Sequence, residues 1–180
     1  MMHTLKDYLS KNLEILSIGL NPSLPSIEKK FYFANPRNRF WAALNASDLL
    51  TSHITPSIAA MDELLNDYRI GFTDVVKKPT ANGSQLRVSD YRQWADVLYQ
   101  HIEQLQPRIA WFHGKMAYKN FCKYSSMVSA RSCEWGLQHE TLGKSLVFVT
   151  PNTSPANAVY SLENLTDWFN QLAKLHQTSR

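Results

Sequence analysis

The sequence predicts an α/β fold, a mainly parallel sheet covered by helices on both faces. Three observations predict it. Short apolar runs, "ILSI" (15–18), "RIAWFHG" (108–114) and "SLVFVT" (145–150), read as buried strands, each too short for a helix. Amphipathic stretches with an apolar period of 3.6 lie between them, so that strands alternate with helices along the chain. The 180 residues, 44% hydrophobic and 19% charged, suit a single domain spanning 1–180 with a full core.

In chain order, residues 4–11 are expected to form a short polar helix ahead of the first strand. That strand runs into "GLNPS" (19–23), where Pro22 disfavours the α region for Asn21 and keeps the chain from entering a helix directly. Residues 21–36, "NPSLPSIEKKFYFANP", read as a loop. Helical spacing returns at Phe40, Trp41, Leu44 and Leu49, and "MDELLNDY" (61–68) reads as a second short helix. "IGFTDVV" (70–76) suits a strand or an extended loop. The clearest helix is 89–106, with Tyr91, Trp94, Ala95, Leu98, Ile102 and Leu105 on one stripe, Ser89 as its cap and Pro107 as its stop. Gly114 opens the turn into a helix over 115–122, and Ser161 with Asn164 marks the start of a closing amphipathic helix.

Bulk properties exclude several classes. No stretch approaches a membrane span, and the start "MMHTLKDYLSKN" lacks the apolar core of a signal peptide, so a cytoplasmic monomer is expected. Cys122 and Cys133 belong to no CxxC pattern, and the six histidines show no HxH or HxxxH spacing. No metal is expected. The net charge of +4 is compatible with a nucleic-acid partner without demanding one.

In parallel sheets, ligands bind beyond the carboxyl ends of the strands. Three segments leave strands there: "GLNPS", "HGK" (113–115) and "PNTSPANA" (151–158). No P-loop, GxGxxG or GxSxG occurs among them. They bring amides and small hydroxyls instead: Asn21, Ser23, Asn152, Thr153, Ser154 and Asn157. An asparagine is no general base, but it can hold a water in line for attack. That suits a bond whose leaving group carries off the charge early, as in cleavage of a base–sugar bond through an oxocarbenium-like state. The loop "FYFANPRNRFW" (31–41) adds aromatics, of which one ring can stack on an extruded base, core packing being the alternative. Arg37, Arg39 and, on the second edge segment, Lys115 are candidate phosphate contacts, a solvated surface being the alternative.

Taken together, "GLNPS", "FYFANPRNRFW", "GFTDVVKKPT" and "PNTSPANA" resemble, in order, the mismatch-specific uracil/thymine-DNA glycosylase family, over most of the chain from Ile15 onward. The resemblance implies a three-layer α/β/α sandwich with a mainly parallel central sheet. It implies hydrolytic removal of a damaged or mispaired base from DNA, without metal or cofactor. Asn21 falls on the family's water-positioning place. Gly19, Leu20 and Ser23 would shape the base pocket, Phe33 matches the stacking aromatic, and Asn152 and Ser154 would approach the flipped nucleotide and its backbone. Ala156 and Asn157 fall on the tip that enters the duplex.

Two departures stand out. Ala156 is smaller than the family's usual wedge, and the tip "TSPANA" is similar to that of hypoxanthine-DNA glycosylases. Asp74 matches a variable position at the pocket edge, where a solvated or capping carboxylate is expected rather than a catalytic one. The expectation is therefore a monofunctional glycosylase acting on uracil, foremost opposite guanine. Hypoxanthine is the alternative substrate, and a non-catalytic nucleic-acid binder on the same fold is the alternative class.

Overall fold

The computed structural model describes residues 3–129 and 132–179. Four parallel strands form the sheet: β1 (Ile15–Gly19), β2 (Ile70–Asp74), β3 (Ile109–His113) and β5 (Leu146–Thr150). A two-residue strand, β4 (Gly136–Leu137), pairs antiparallel with β5, giving the order β2-β1-β3-β5-β4. The strands are buried on both faces, which is why they read as continuous apolar runs.

Alternate residues on each strand feed two separate cores. Ile15, Phe72, Trp111 and Phe148 pack with α2 (Phe40–Ala46), α3 (Ile58–Asn66) and α6 (Leu162–Thr178). Leu16, Ile18, Ala110, Phe112 and Val149 pack with α4 (Val88–Leu105) and α5 (Lys115–Tyr124). The result is the three-layer sandwich that the sequence implied.

Local chemistry accounts for the places where the structure departs from the sequence pattern. Residues 4–11 form no helix. They lie extended along the outer edge of β2, where Tyr8 and Phe72 exchange two backbone hydrogen bonds of 2.9 Å. An edge strand with open N–H and C=O groups is covered here by a strap whose Leu5 and Tyr8 are buried. The expected loop 21–36 contains a short helix, α1 (Leu24–Lys29), capped by Ser23, whose Oγ accepts from the Ser26 N–H. Pro25 is harmless in that first turn. Helix α4 starts one residue before Ser89, with Arg87 as its cap residue, and the Asp90 carboxylate accepts the Arg87 N–H at 2.8 Å. Ser161 and Asn164 do cap each other at the start of α6. Strand β4 is too short to carry a periodicity.

Candidate active site

The chain leaves β1 toward β2 on one side of the sheet and returns through β3 on the other, so β1 and β3 flank the switch point. A cavity of about 500 Å³ opens there, beyond the carboxyl ends of the strands. Its walls come from the segments after β1, β2, β3 and β5, and from the loop carrying Phe33.

Beyond β1 the chain bends at Leu20 and Asn21 without entering a helix, and runs beside the segment that follows β2. Val75, Val76 and Thr80 donate their N–H groups to the carbonyls of Gly19, Leu20 and Pro22. This two-stranded extension fixes the Asn21 side chain. Its Nδ2 donates to the Lys78 carbonyl at 2.8 Å and to Thr80 Oγ1 at 2.7 Å. The carbonyl partner can only accept, so it sets the orientation of the amide. Both amide hydrogens are then engaged, and Oδ1 remains an acceptor with a fixed direction at the cavity wall.

The three aromatics of the 31–33 cluster divide. Tyr32 is buried in the core, and Phe31 packs edge-on against Trp41. Phe33 is half-buried and lines the cavity. Its ring stacks on Phe40, with centroids 4.1 Å apart and planes at 19°, and lies 5.0 Å from the His113 ring. Its φ of 56° is a left-handed conformation that a non-glycine residue adopts only under constraint. Ser26 in α1 supplies part of that constraint, accepting the Ala34 N–H at 3.2 Å.

The segment after β5 folds into a compact turn. Asn152 Oδ1 accepts the Ser154 N–H, Ser154 Oγ accepts the Ala156 N–H, and Asn157 Nδ2 donates to the Asn152 carbonyl. With its Oδ1 engaged, Asn152 has its amide nitrogen as the free end. Gly114, at φ +94°, lets this side chain lie against the start of α5. Ala156 is exposed at the rim.

The basic residues are used unequally. Arg37 is exposed. Arg39, expected at phosphates, is engaged within the protein instead. Its guanidinium donates to the carbonyls of Ser154 (3.1 Å), Asn157 (2.7 Å) and Tyr160. Few of its five N–H groups are left for DNA, and it acts as a bracket for the tip. The Lys115 ammonium sits 4.7 Å from the Trp135 ring centroid.

Two polar residues lie at the cavity floor: Asp74, which the sequence placed at the pocket edge without a catalytic role, and His113, to which it gave none. Asp74 ends β2 in register with Gly19, and His113 ends β3. Both follow, by two residues, side chains of the same core, Phe72 and Trp111, and so face the same side of the sheet. Asp74 is 4% exposed, and its Oδ2 has no hydrogen-bond partner among the described residues. The expectation of a solvated or capping carboxylate is therefore wrong. Burial pushes its carboxyl up to about 7, with Lys77 opposing and Asp7 adding to the rise. A Cβ on Gly19 would lie 2.5 Å from Asp74 Oδ1, so only glycine there lets the carboxyl lie across the end of β1. His113 is equally enclosed. Its Nε2 lies 2.8 Å from Ser17 Oγ, its Nδ1 has no partner among the described residues, and burial pushes it down to about 3, which keeps the ring neutral. For His113 the available signal was position, a titratable residue at the carboxyl end of an otherwise apolar strand, and Asp74 shares that position on β2.

Among the described residues no group of three or more His, Cys, Asp or Glu could hold a metal ion, and no helix is long and apolar enough to cross a membrane.

Comparison with known proteins agrees with this architecture. Residues 6–175 match the family described as the uracil DNA glycosylase superfamily. A solution NMR structure from Methanosarcina acetivorans, of a protein provisionally assigned as a uracil DNA glycosylase, has a similar fold. Its TM-score is 0.61 and its identity 22%, over 95% of this chain and 98% of that one. At that identity the likeness speaks for the fold alone.

Proposed function

The chain belongs to the uracil DNA glycosylase superfamily, and from that premise we propose that it hydrolyses the N-glycosidic bond of uracil in DNA, foremost in G·U mispairs. The observation that carries the reading is the Asn21 amide, whose two hydrogens are held by Lys78 and Thr80. Its Oδ1 accepts a hydrogen bond from one water and aligns that water with C1′ of an extruded nucleotide. The bond from C1′ to the base breaks with its electron pair going to the base. The water oxygen then bonds C1′, and its proton passes to solvent. Phe33 stacks on the base, the Asn152 amide and Ser154 hold the nucleotide, and Ala156 and Asn157 face the vacated position in the duplex. Arg37 and Lys115 meet phosphates. The reading is of a monofunctional enzyme, because attack by the water that Asn21 holds needs no amine at C1′.

The test is single-turnover excision from oligonucleotides carrying G·U, A·U, single-stranded uracil and hypoxanthine, with and without EDTA. Wild type should act fastest on G·U, since flipping is cheaper from a mispair, and EDTA should change nothing. Asn21→Ala should lose about 100-fold or more in rate while keeping DNA affinity within a few-fold. A near-wild-type rate for Asn21→Ala would remove the water-positioning role. Faster excision of hypoxanthine would replace uracil as the substrate, and binding without excision of any base would leave a DNA-binding module.

A further inference from the structure

The N-terminal strap does more than cover the edge of β2. Leu5 reaches the cavity wall, and Asp7, two residues on, gathers three donors on one carboxylate oxygen. Its Oδ1 accepts from Tyr32 Oη at 3.3 Å, from Thr73 Oγ1 at 2.9 Å and from the Lys77 ammonium. Two of these donors stand next in the chain to the proposed machinery. Tyr32 precedes Phe33, and Lys77 precedes Lys78, whose carbonyl holds the Asn21 amide. We propose that Asp7 is a positioning residue, which sets the Phe33 ring and the Asn21 amide in register with each other. This inference rests on the glycosylase reading and adds to it the group that ties the stacking wall to the water-holding wall.

On the stacking side, Tyr32 is buried and pinned at both ends. Its carbonyl accepts the Trp41 indole N–H at 3.0 Å, and its hydroxyl donates to Asp7. The left-handed φ of Phe33 persists only where flanking groups over-determine it. Ser26 holds the residue after Phe33 through the Ala34 N–H, and Tyr32 holds the residue before it. Without Asp7 the Tyr32 hydroxyl would lose its acceptor inside the core, and the chain would gain by moving to find another.

On the water-holding side, Lys77 is buried, with Asp7 and Thr73 as the partners of its ammonium. A buried ammonium must keep its carboxylate, so the pair fixes where the chain stands at residue 77. Thr4 Oγ1 donates to the Lys77 carbonyl, and the strap thus grips that residue by side chain and by backbone. One residue on, the Lys78 carbonyl orients the Asn21 amide at 2.8 Å. Attack in line requires the water and the stacked base to be fixed relative to each other, and small misplacements are costly. Asp7 is the single group bonded to both supports.

The experiment is single-turnover excision of uracil from a G·U duplex by wild type, Asp7→Asn, Tyr32→Phe, Phe33→Ala and the double variant Tyr32→Phe/Phe33→Ala. Urea midpoints and affinity for an undamaged duplex are measured beside it. Asp7→Asn should slow excision about 10- to 100-fold and leave affinity for undamaged DNA unchanged. Tyr32→Phe removes one oxygen and keeps the Lys77 pair, so it answers the question even where Asp7→Asn fails to fold. It should slow excision about tenfold, and in the Phe33→Ala background it should add little, because the hydroxyl acts through that ring. Wild-type rates in the folded variants, with only the urea midpoints lowered, would make Asp7 a tie for the fold alone and overturn the proposal. So would a Tyr32→Phe loss that multiplies in full with that of Phe33→Ala. In either case wild type still excises uracil and the glycosylase reading stands, whereas no excision by wild type defeats both.

Discussion

The two ends of the sheet carry the same pair of chemical groups, a carboxyl and an imidazole, and treat them in opposite ways. At the amino end, Glu14 just before β1 accepts from Arg108 Nε at 2.8 Å, lies 3.0 Å from His176 Nε2 and lies 3.7 Å from Arg69. Those partners stand just ahead of β3, near the end of α6 and just ahead of β2, so one carboxylate ties four elements together. Burial raises the Glu14 carboxyl, but the hydrogen bonds from His176 and Arg108 outweigh it and the net shift is downward. At the carboxyl end, Asp74 Oδ2 and His113 Nδ1 are buried without partners among the described residues, and burial moves each toward its neutral form. The first arrangement holds the fold together. The second costs stability and leaves two polar groups for a ligand to satisfy, the usual pattern of a binding or catalytic site.

The largest expected effect is on the pH dependence of stability. Asp74 titrates near 7 in the folded chain, above its unfolded value, so its contribution is intact below the unfolded pKa and is lost as pH rises toward 7. His113 is shifted down to about 3, so its contribution is intact above its unfolded value and is lost as pH falls. Between about pH 4 and 6.5 the two slopes oppose and nearly cancel. Asp74→Asn removes one of them. Its stability relative to wild type should grow as pH rises from about 4 to 7, reaching up to roughly 4 kcal/mol at pH 8. Urea midpoints at pH 5 and pH 8 measure it, and a gain equal at both would mean that Asp74 is not buried as a charge.

Next comes Phe33, the cavity ring proposed to stack on the base. Stacking is worth roughly 1–3 kcal/mol per base, so Phe33→Ala should slow uracil excision by about 10- to 100-fold. Affinity for undamaged DNA should change little, because only an extruded base feels this ring. Alanine keeps a Cβ at the left-handed φ of residue 33, so the variant also loses the Phe40 contact without relieving that strain. Equal losses on damaged and undamaged DNA would assign Phe33 to the core.

Much of this end is legible in the sequence, but unevenly. The strands and the closing helix follow from periodicity and capping residues, and the place of Asn21 just beyond the carboxyl end of a strand follows from the apolar run before it, all local signals. The settings of Asp74 and His113 do not, because burial is a tertiary property. Nothing in "GFTDVV" tells a carboxyl that turns toward solvent from one that lies across the glycine of a neighbouring strand. Arg39 reads as a phosphate contact for a similar reason, since its partners lie more than 100 residues further on. Residues 4–11 carry helical spacing at Leu5 and Tyr8, while the open edge of β2 that they cover is invisible in one dimension.

The smallest effect tests the amino end. Glu14→Gln keeps the size of the side chain and removes the charge that Arg108 and His176 address. The cluster is part-exposed, and the Arg108 side chain retains 35% of its surface, so solvent screens the pairing. The loss at pH 7 should be about 1–2 kcal/mol. A carboxyl shifted downward contributes stability above its unfolded value and loses it as pH falls through the folded one. The gap between wild type and Glu14→Gln should therefore close toward pH 4, opposite in direction to the gap for Asp74→Asn. Excision should be unchanged, because the five residues of β1 put about 16 Å between Glu14 and the cavity. Denaturant midpoints at pH 7 and pH 4, beside single-turnover rates, give both answers from one variant. A rate that falls along with stability would mean that the two ends are coupled through the sheet, and the division between a holding end and a working end would have to be given up.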